Sequence, residues 1–538
     1  MTTSPPAPPP DAEAVLARVI DYSTLYEAWP RRLWDLGAVL SLRELHESCA
    51  WVAEGALHQP AVDWQKARLL PLLGPDRALG DGLLRRELTN LLRGPLQAPS
   101  TTVRRLADLI ETVDAGYLAR HADALDAGSA MSVERLARTL TSHLLDSGFS
   151  MPAVRRWAQG HMGNGLAASE LLRSAQADLD RGLQPYEVLL PCLKIPQRQT
   201  LTEAVASYRP RRQALAWLKA HGHPLPSFGV DGAFCFTVEA RDPYAAADQA
   251  RELAERLMAR DAFGAGAKHL ELAHVLYAER VARALPLRRD SRFGRVPSLL
   301  QEAQMYTVTA ERDRLDAALE LAAPLNHGSI AAAVSGAWSA AESLLFSAAD
   351  QTGDDERGRV VVATRLAELV ACSWPRAELT ALSHRLDPTS DPALHARLEQ
   401  ASTNQERAAV LEQSLRDGTA ATPLQSPRTA SDTRALQRMQ QLVTDPAPLL
   451  GEVARICETS FRRLYRSRNV IAHAGATSAL AHAATLRVSA PLLGAGLDRI
   501  AHAYLVKGVD PLVLAAQAHN SLLLVGDPLG RPLTELLE

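Results

Sequence analysis

Apolar residues recurring at intervals of three and four constrain this chain more than any other feature. Val15, Val19 and Tyr22 keep that spacing, and so do Val103, Leu106, Ile110 and Val113; each set lies on one face of a helix. The pattern runs from about residue 11 to 221, lapses near Pro224 and resumes from about residue 308. A chain patterned in this way must bury helix faces against one another, so the expected fold is mainly α. Its 538 residues exceed one ordinary core, and roughly two to four domains are expected. Hydrophobic residues at 47% can fill those cores, and charged residues at 22% can keep the surface wet. No fixed-period repeat marks a solenoid. Trp29, Trp34, Trp51, Trp64 and Trp157 are expected to plug helix packing.

The expected organisation has four parts. Residues 1–10 are Pro-rich and expected to be disordered. Residues 11–225 make a helical N-terminal region, in which the cluster around Tyr208 to Arg212 reads as a solvated helix start. Residues 226–300 hold a small α+β module. There Phe234, Phe236 and Val238 alternate with Cys235, Thr237 and Glu239, which is strand spacing. Asp242-Pro243 then opens a helix with Ala246, Ala250, Leu253 and Leu257 on one face, and residues 270–277 suggest a second strand. The Gly-rich run ending at Lys268 lacks a Gly-Lys-Ser/Thr ending and follows a helix, so it reads as a turn and not a phosphate loop. Arg288, Arg289, Arg292 and Arg295 form a basic connector that either tracks phosphates or is simply solvated. Residues 301–538 form a second helical domain, with helices at about 357–371 and 376–386 and a flexible polar loop at 417–433.

Charge and cysteine usage narrow the function classes. A net charge of −3 gives no global attraction to nucleic acid, so any RNA contact needs a local basic surface. The five cysteines are scattered without a C-x-x-C pair, which argues against a zinc or redox motif and for a reducing compartment. Residues 1–10 have neither a basic start nor an apolar run, and no stretch of apolar residues is long enough to span a bilayer. A cytoplasmic protein without membrane attachment, metal or cofactor is expected. His221 and His223 sit in a Gly/Pro turn with no acidic neighbour in sequence, which makes a metal hydrolase a poor reading.

The strongest chemical signal lies at residues 464–475, Leu-Tyr-Arg-Ser-Arg-Asn-Val-Ile-Ala-His-Ala-Gly. Phe461 and Leu464 are apolar at helical spacing, and four residues on Arg468 falls on the same stripe. His473 can exchange protons near neutral pH. On an unbroken helix the two side chains stand about 140° apart, so they converge only if the helix ends or bends between them. Gly475 is a stop signal.

The run from Arg468 and Asn469 to His473 resembles the R-x4-H signature, in its R-N form, of the HEPN superfamily (higher eukaryotes and prokaryotes nucleotide-binding), many of whose members are metal-independent ribonucleases. Residues 337–345, with Glu342 at the edge of the Val334, Trp338, Ala341 and Leu345 face, are similar to the early helix of Apea-like HEPN domains. The likeness covers about residues 308–524 and implies a C-terminal helical bundle. It also implies roles. His473 would be general acid or base, Arg468 would hold phosphate oxygens, Asn469 would position them, and Glu342 would support the pair. The RNA 2′-hydroxyl would be the nucleophile, leaving 2′,3′-cyclic phosphate and 5′-hydroxyl ends. Arg462, Arg463 and Arg466, with Arg455, are expected on exposed faces of the same helix as RNA-binding cations. The resemblance further implies a homodimer and a regulated effector of phage defence or toxin type. The N-terminal region would then be the sensor of a phage-derived or other regulatory trigger. The rival expectation is a non-catalytic nucleotide-binding or protein-interaction scaffold, with Arg468 and Glu342 as a structural pair.

Overall fold

Helix-period patterning produces a chain that is mainly helical, with one small antiparallel sheet in its middle. The computed structural model describes residues 10–538 apart from 25–27, 33, 35, 81, 197, 265–268, 289–291, 309, 351–354, 419–420 and 427, and the side chains of 355–358. The expected disorder of residues 1–10 therefore lies outside the described residues up to residue 9. So do residues 265–268 of the Gly-rich turn and Arg289 of the connector. The chain divides into two compact units: Met1–His143, Ala158–Arg173 and Arg292–Glu538 make the first, and Leu144–Trp157 and Ser174–Ser291 the second.

The second unit is built on strands β1 (Gln184–Lys194), β2 (Tyr208–Pro210), β3 (Gly232–Ala240), β4 (Glu271–Leu272), β5 (Val275–Ala278) and β6 (Leu285–Pro286). Their order is β2-β3-β1-β5-β6, with β4 also pairing β1. The register sets Val188 opposite Phe236 and Leu190 opposite Phe234. Asp242 caps helix Pro243–Ala262 by accepting from the Tyr244 and Ala245 N–H groups, and it also accepts from Ser150 N and Oγ at 2.8 Å. Ala246, Ala250 and Ala254 of that helix pack on Tyr186, Val188 and Leu190, while Leu189, Cys235 and Tyr277 on the other sheet face meet Ala214 and Leu218 of helix Arg211–Ala220. This corrects the helical reading up to residue 221, because the central strand β1 lies inside that stretch. Both faces of β1 are buried, so its apolar residues run together instead of alternating and carry no period-2 signal.

In the first unit one core joins sequence-distant helices. Trp34, Leu36 and Leu40 pack in the same cluster as Trp338, Trp374, Phe461, Leu464 and Leu493. Helices Ile330–Leu345, Asp355–Ser383, Pro446–Ala474, His482–Lys507 and Pro511–Leu524 supply most of it. Residues 11–143 therefore do not stand apart from the C-terminal helices as expected. Arg31, fully buried, bridges to Glu378 at 2.8 Å and to Asp432. Periodicity tells that a helix has a face to bury, not which helix covers it.

Local differences have local causes. Residues 355–383 form one helix and not two, with Pro375 inside it; Trp374 and Leu379 are buried on either side and hold it in place. Part of the expected flexible loop is tied down. Leu424 N donates to Arg385 O and Asp387 N to Thr422 O, both at 2.8 Å, and helix Thr429–Thr444 has begun by Thr429. Arg292 of the basic connector donates to the carbonyls of Leu325 and Gly328. Gly494 lets this segment pass close, since a Cβ there would lie 2.4 Å from Arg295 N. Among the described residues no helix is long and apolar enough to cross a membrane.

Candidate functional site

The motif lies at the end of helix Pro446–Ala474. Pro446 opens that helix, where a missing N–H costs nothing. Gly475, at φ 63°, closes it by donating its N–H to Ile471 O at 3.0 Å. The helix runs without a break through Arg468 and His473, so the two diverge by about 140° within one copy. Arg468 is half-buried, and its guanidinium donates to Asn469 Oδ1 at 3.1 Å. His473 is exposed in the last turn, with no side-chain hydrogen bond or ion pair among the described residues.

Glu342 does not reach the pair. Its carboxylate lies 3.3 Å from Arg359 Nε, so it pairs neither with His473 nor, as the scaffold expectation had it, with Arg468. The geometry therefore groups Arg468 with Asn469, and leaves His473 and Glu342 apart.

Two of the four expected RNA-binding cations are not on the surface, while Arg455 is exposed. Arg463 and Arg466 are 7% and 6% exposed. Both meet Glu44 of helix Ala38–Ala53, Arg463 through Nε at 3.1 Å, and Arg463 also donates to Ser41 Oγ at 2.6 Å. Burial opposes the charge on Glu44, but Arg466 and then Arg463 outweigh it and hold the carboxyl below its usual range. For Arg466 burial is the largest influence and pushes the guanidinium down. Arg462 is half-buried. It donates to Glu458 Oε1 at 2.9 Å and lies 4.9 Å from the Trp64 ring centre. These arginines tie helices together, because helices from the N-terminal region cover this side of the motif helix.

Glu44 is the residue that sequence reasoning missed. The available signal was the stripe Thr459, Ser460, Arg463, Arg466 and Ser467, all buried and without an acidic residue of its own. Such a stripe calls for a carboxylate from elsewhere.

His221 also has an acidic neighbour that its local sequence hides: Glu187 of β1 lies 3.9 Å away and accepts from Trp217 Nε1 at 2.6 Å. Among the described residues no group of three or more His, Cys, Asp or Glu is placed to hold a metal ion. The five cysteines are free and buried, and burial pushes the Cys49 thiol up to about 11 and Cys192 to about 12. They are poor nucleophiles. Comparison with protein-family models, with curated proteins and with solved structures found no match.

Proposed function

We propose that the chain is a HEPN-like, metal-independent endoribonuclease that works as two copies, with Arg468 of one copy and His473 of the partner subunit facing one RNA phosphate. The observation that carries this reading is selective pairing along residues 462–468 of one helix. Arg462, Arg463 and Arg466 each meet a carboxylate, whereas Arg468 has only the neutral Asn469 among the described residues. A half-buried guanidinium without a counter-charge among the described residues suits an incoming phosphate.

In this mechanism the 2′-hydroxyl oxygen attacks the adjacent phosphorus, and the P–O5′ bond breaks. The single imidazole at the site takes the 2′-hydroxyl proton, and a proton then passes from it to the departing 5′-oxygen, a contribution of roughly 10²–10⁴-fold. Arg468 neutralises charge building on the non-bridging oxygens. RNA is then the substrate, and the protein a regulated effector of defence or toxin type that answers to a trigger.

The test is cleavage of end-labelled RNA with chelator present. Wild type should leave 2′,3′-cyclic phosphate ends, and His473→Ala and Arg468→Ala should each be inactive. Mixing the two inactive variants should restore about a quarter of wild-type activity, since half the dimers would carry one intact composite site. A fully active His473→Ala, or cleavage that chelator abolishes, would remove the proposal, and an inactive wild type would put the scaffold reading level with it. The scaffold reading loses its Arg468–Glu342 pair, but the engagement of Glu342 with Arg359 also removes the carboxylate expected to support the catalytic pair and so favours a site that does not cut. That reading predicts RNA binding or partner capture without cleavage.

A further inference from the structure

The motif helix also forms one wall of a cavity of about 600 Å³ in the first unit, within the roughly 300–1,000 Å³ usual for small-ligand sites. Eight arginines line it against four acidic residues. Those acids are largely engaged. Glu134 alone accepts from three guanidiniums, Arg18 at 3.0 Å, Arg438 at 3.2 Å and Arg138 at 3.3 Å. Asp76 meets Tyr117 at 2.6 Å and His121 at 3.3 Å. Arg135 and Arg455 line the same space, and their side chains make no ion pair or hydrogen bond among the described residues.

Guanidiniums crowded into a partly desolvated space repel one another; Asp21 and Glu458, outside the lining, also meet Arg18 and Arg68, which leaves Arg135 and Arg455 as the lining guanidiniums without a carboxylate among the described residues. Burial, and then Arg18, push the Arg438 guanidinium down despite its shared carboxylate. Burial does the same to Arg135. The missing partner is negative. Planar guanidinium forks fit phosphate oxygens in pairs, and the two uncompensated guanidiniums, beside others already sharing carboxylates, suit a ligand with more than one phosphate charge better than a single monoanion. Trp34, Trp64 and Trp374 in the wall leave apolar surface for an organic part.

We propose that this cavity binds a small polyanion carrying two or more phosphate groups. The site is separate from the R-x4-H end of the helix, and its existence does not depend on the ribonuclease reading.

The test is calorimetric titration of the full chain at physiological ionic strength with inorganic tripolyphosphate and with adenosine triphosphate. Saturable binding of either probe is expected, weakened about tenfold or more by Arg135→Glu. Arg104→Glu makes the same charge change on an exposed helix position outside the cavity and should leave binding within about twofold. Arg455→Glu provides a second reading if Arg135→Glu fails to fold. Tighter binding of the nucleotide would assign part of the cavity to the nucleoside, and equal binding would assign it to phosphate alone. No saturable binding of either probe, equal weakening by Arg104→Glu, or displacement of neither probe's signal by the cavity variants would overturn the proposal.

Discussion

At the scale of residues, partner chemistry separates arginines that build the fold from those without a carboxylate among the described residues, Arg468 at the motif and Arg135 and Arg455 at the cavity. Glu44 compensates two buried guanidiniums, and its loss would leave both in low dielectric. Glu44→Ala should therefore destabilise the protein by about 3–5 kcal/mol, whereas Arg468→Ala should stay within about 0.5 kcal/mol. Denaturant unfolding measures both. The sign of the pH dependence follows from the lowered carboxyl of Glu44. Its stabilisation is present above the unfolded carboxylate range, near about pH 4.3, and is lost as pH falls through the folded value. The gap between wild type and Glu44→Ala should hold from pH 7 down to that range and then narrow. A gap that is constant through acid would show that Glu44 is not ionised in the fold.

At the scale of elements, the end of the motif helix decides where His473 points. Gly475 holds φ 63°, and a Cβ there meets nothing within 4 Å. Replacement by alanine therefore brings backbone strain without a clash, worth about 1–2 kcal/mol. Gly475→Ala should fray the last turn and lower any RNA cleavage more than it lowers global stability, and Gly475→Asn should recover much of the loss, because Asn visits the left-handed region more readily. Hydrogen exchange at the amides of 471–475 reads the fraying directly. Unchanged protection in the alanine variant would sink this account. The same helix shows how context hides an element's role: Phe461 and Leu464 were legible as core, but the polar stripe beside them looked like a solvated face.

At the scale of the whole molecule, the first unit gathers residues separated by hundreds of positions. Trp34 and Leu40 share a core with Trp338 and Phe461, and Arg31 bridges to Glu378 and Asp432. A fragment of residues 301–538 would lose Arg31 and Glu44 together and expose the apolar surface they help close. It should fail to give a cooperative thermal transition, while the full chain gives one. A fragment that melts cooperatively near the full-length temperature would show that the C-terminal helices form an independent domain. In that event, the coupling between residues 11–143 and the motif helix would be dispensable for folding.

Sequence alone determined the mainly helical character, the strand at Phe234 to Val238, the Gly475 stop and the helix that carries Arg468 and His473. Each of these follows from short-range periodicity or a single residue's backbone preference, which act within a few positions. Tertiary structure alone decided that β1 is a strand buried on both faces, that Glu342 turns to Arg359, and that Arg463 and Arg466 lie buried against Glu44. A charged side chain's role depends on which distant group meets it, and local patterning does not specify that partner.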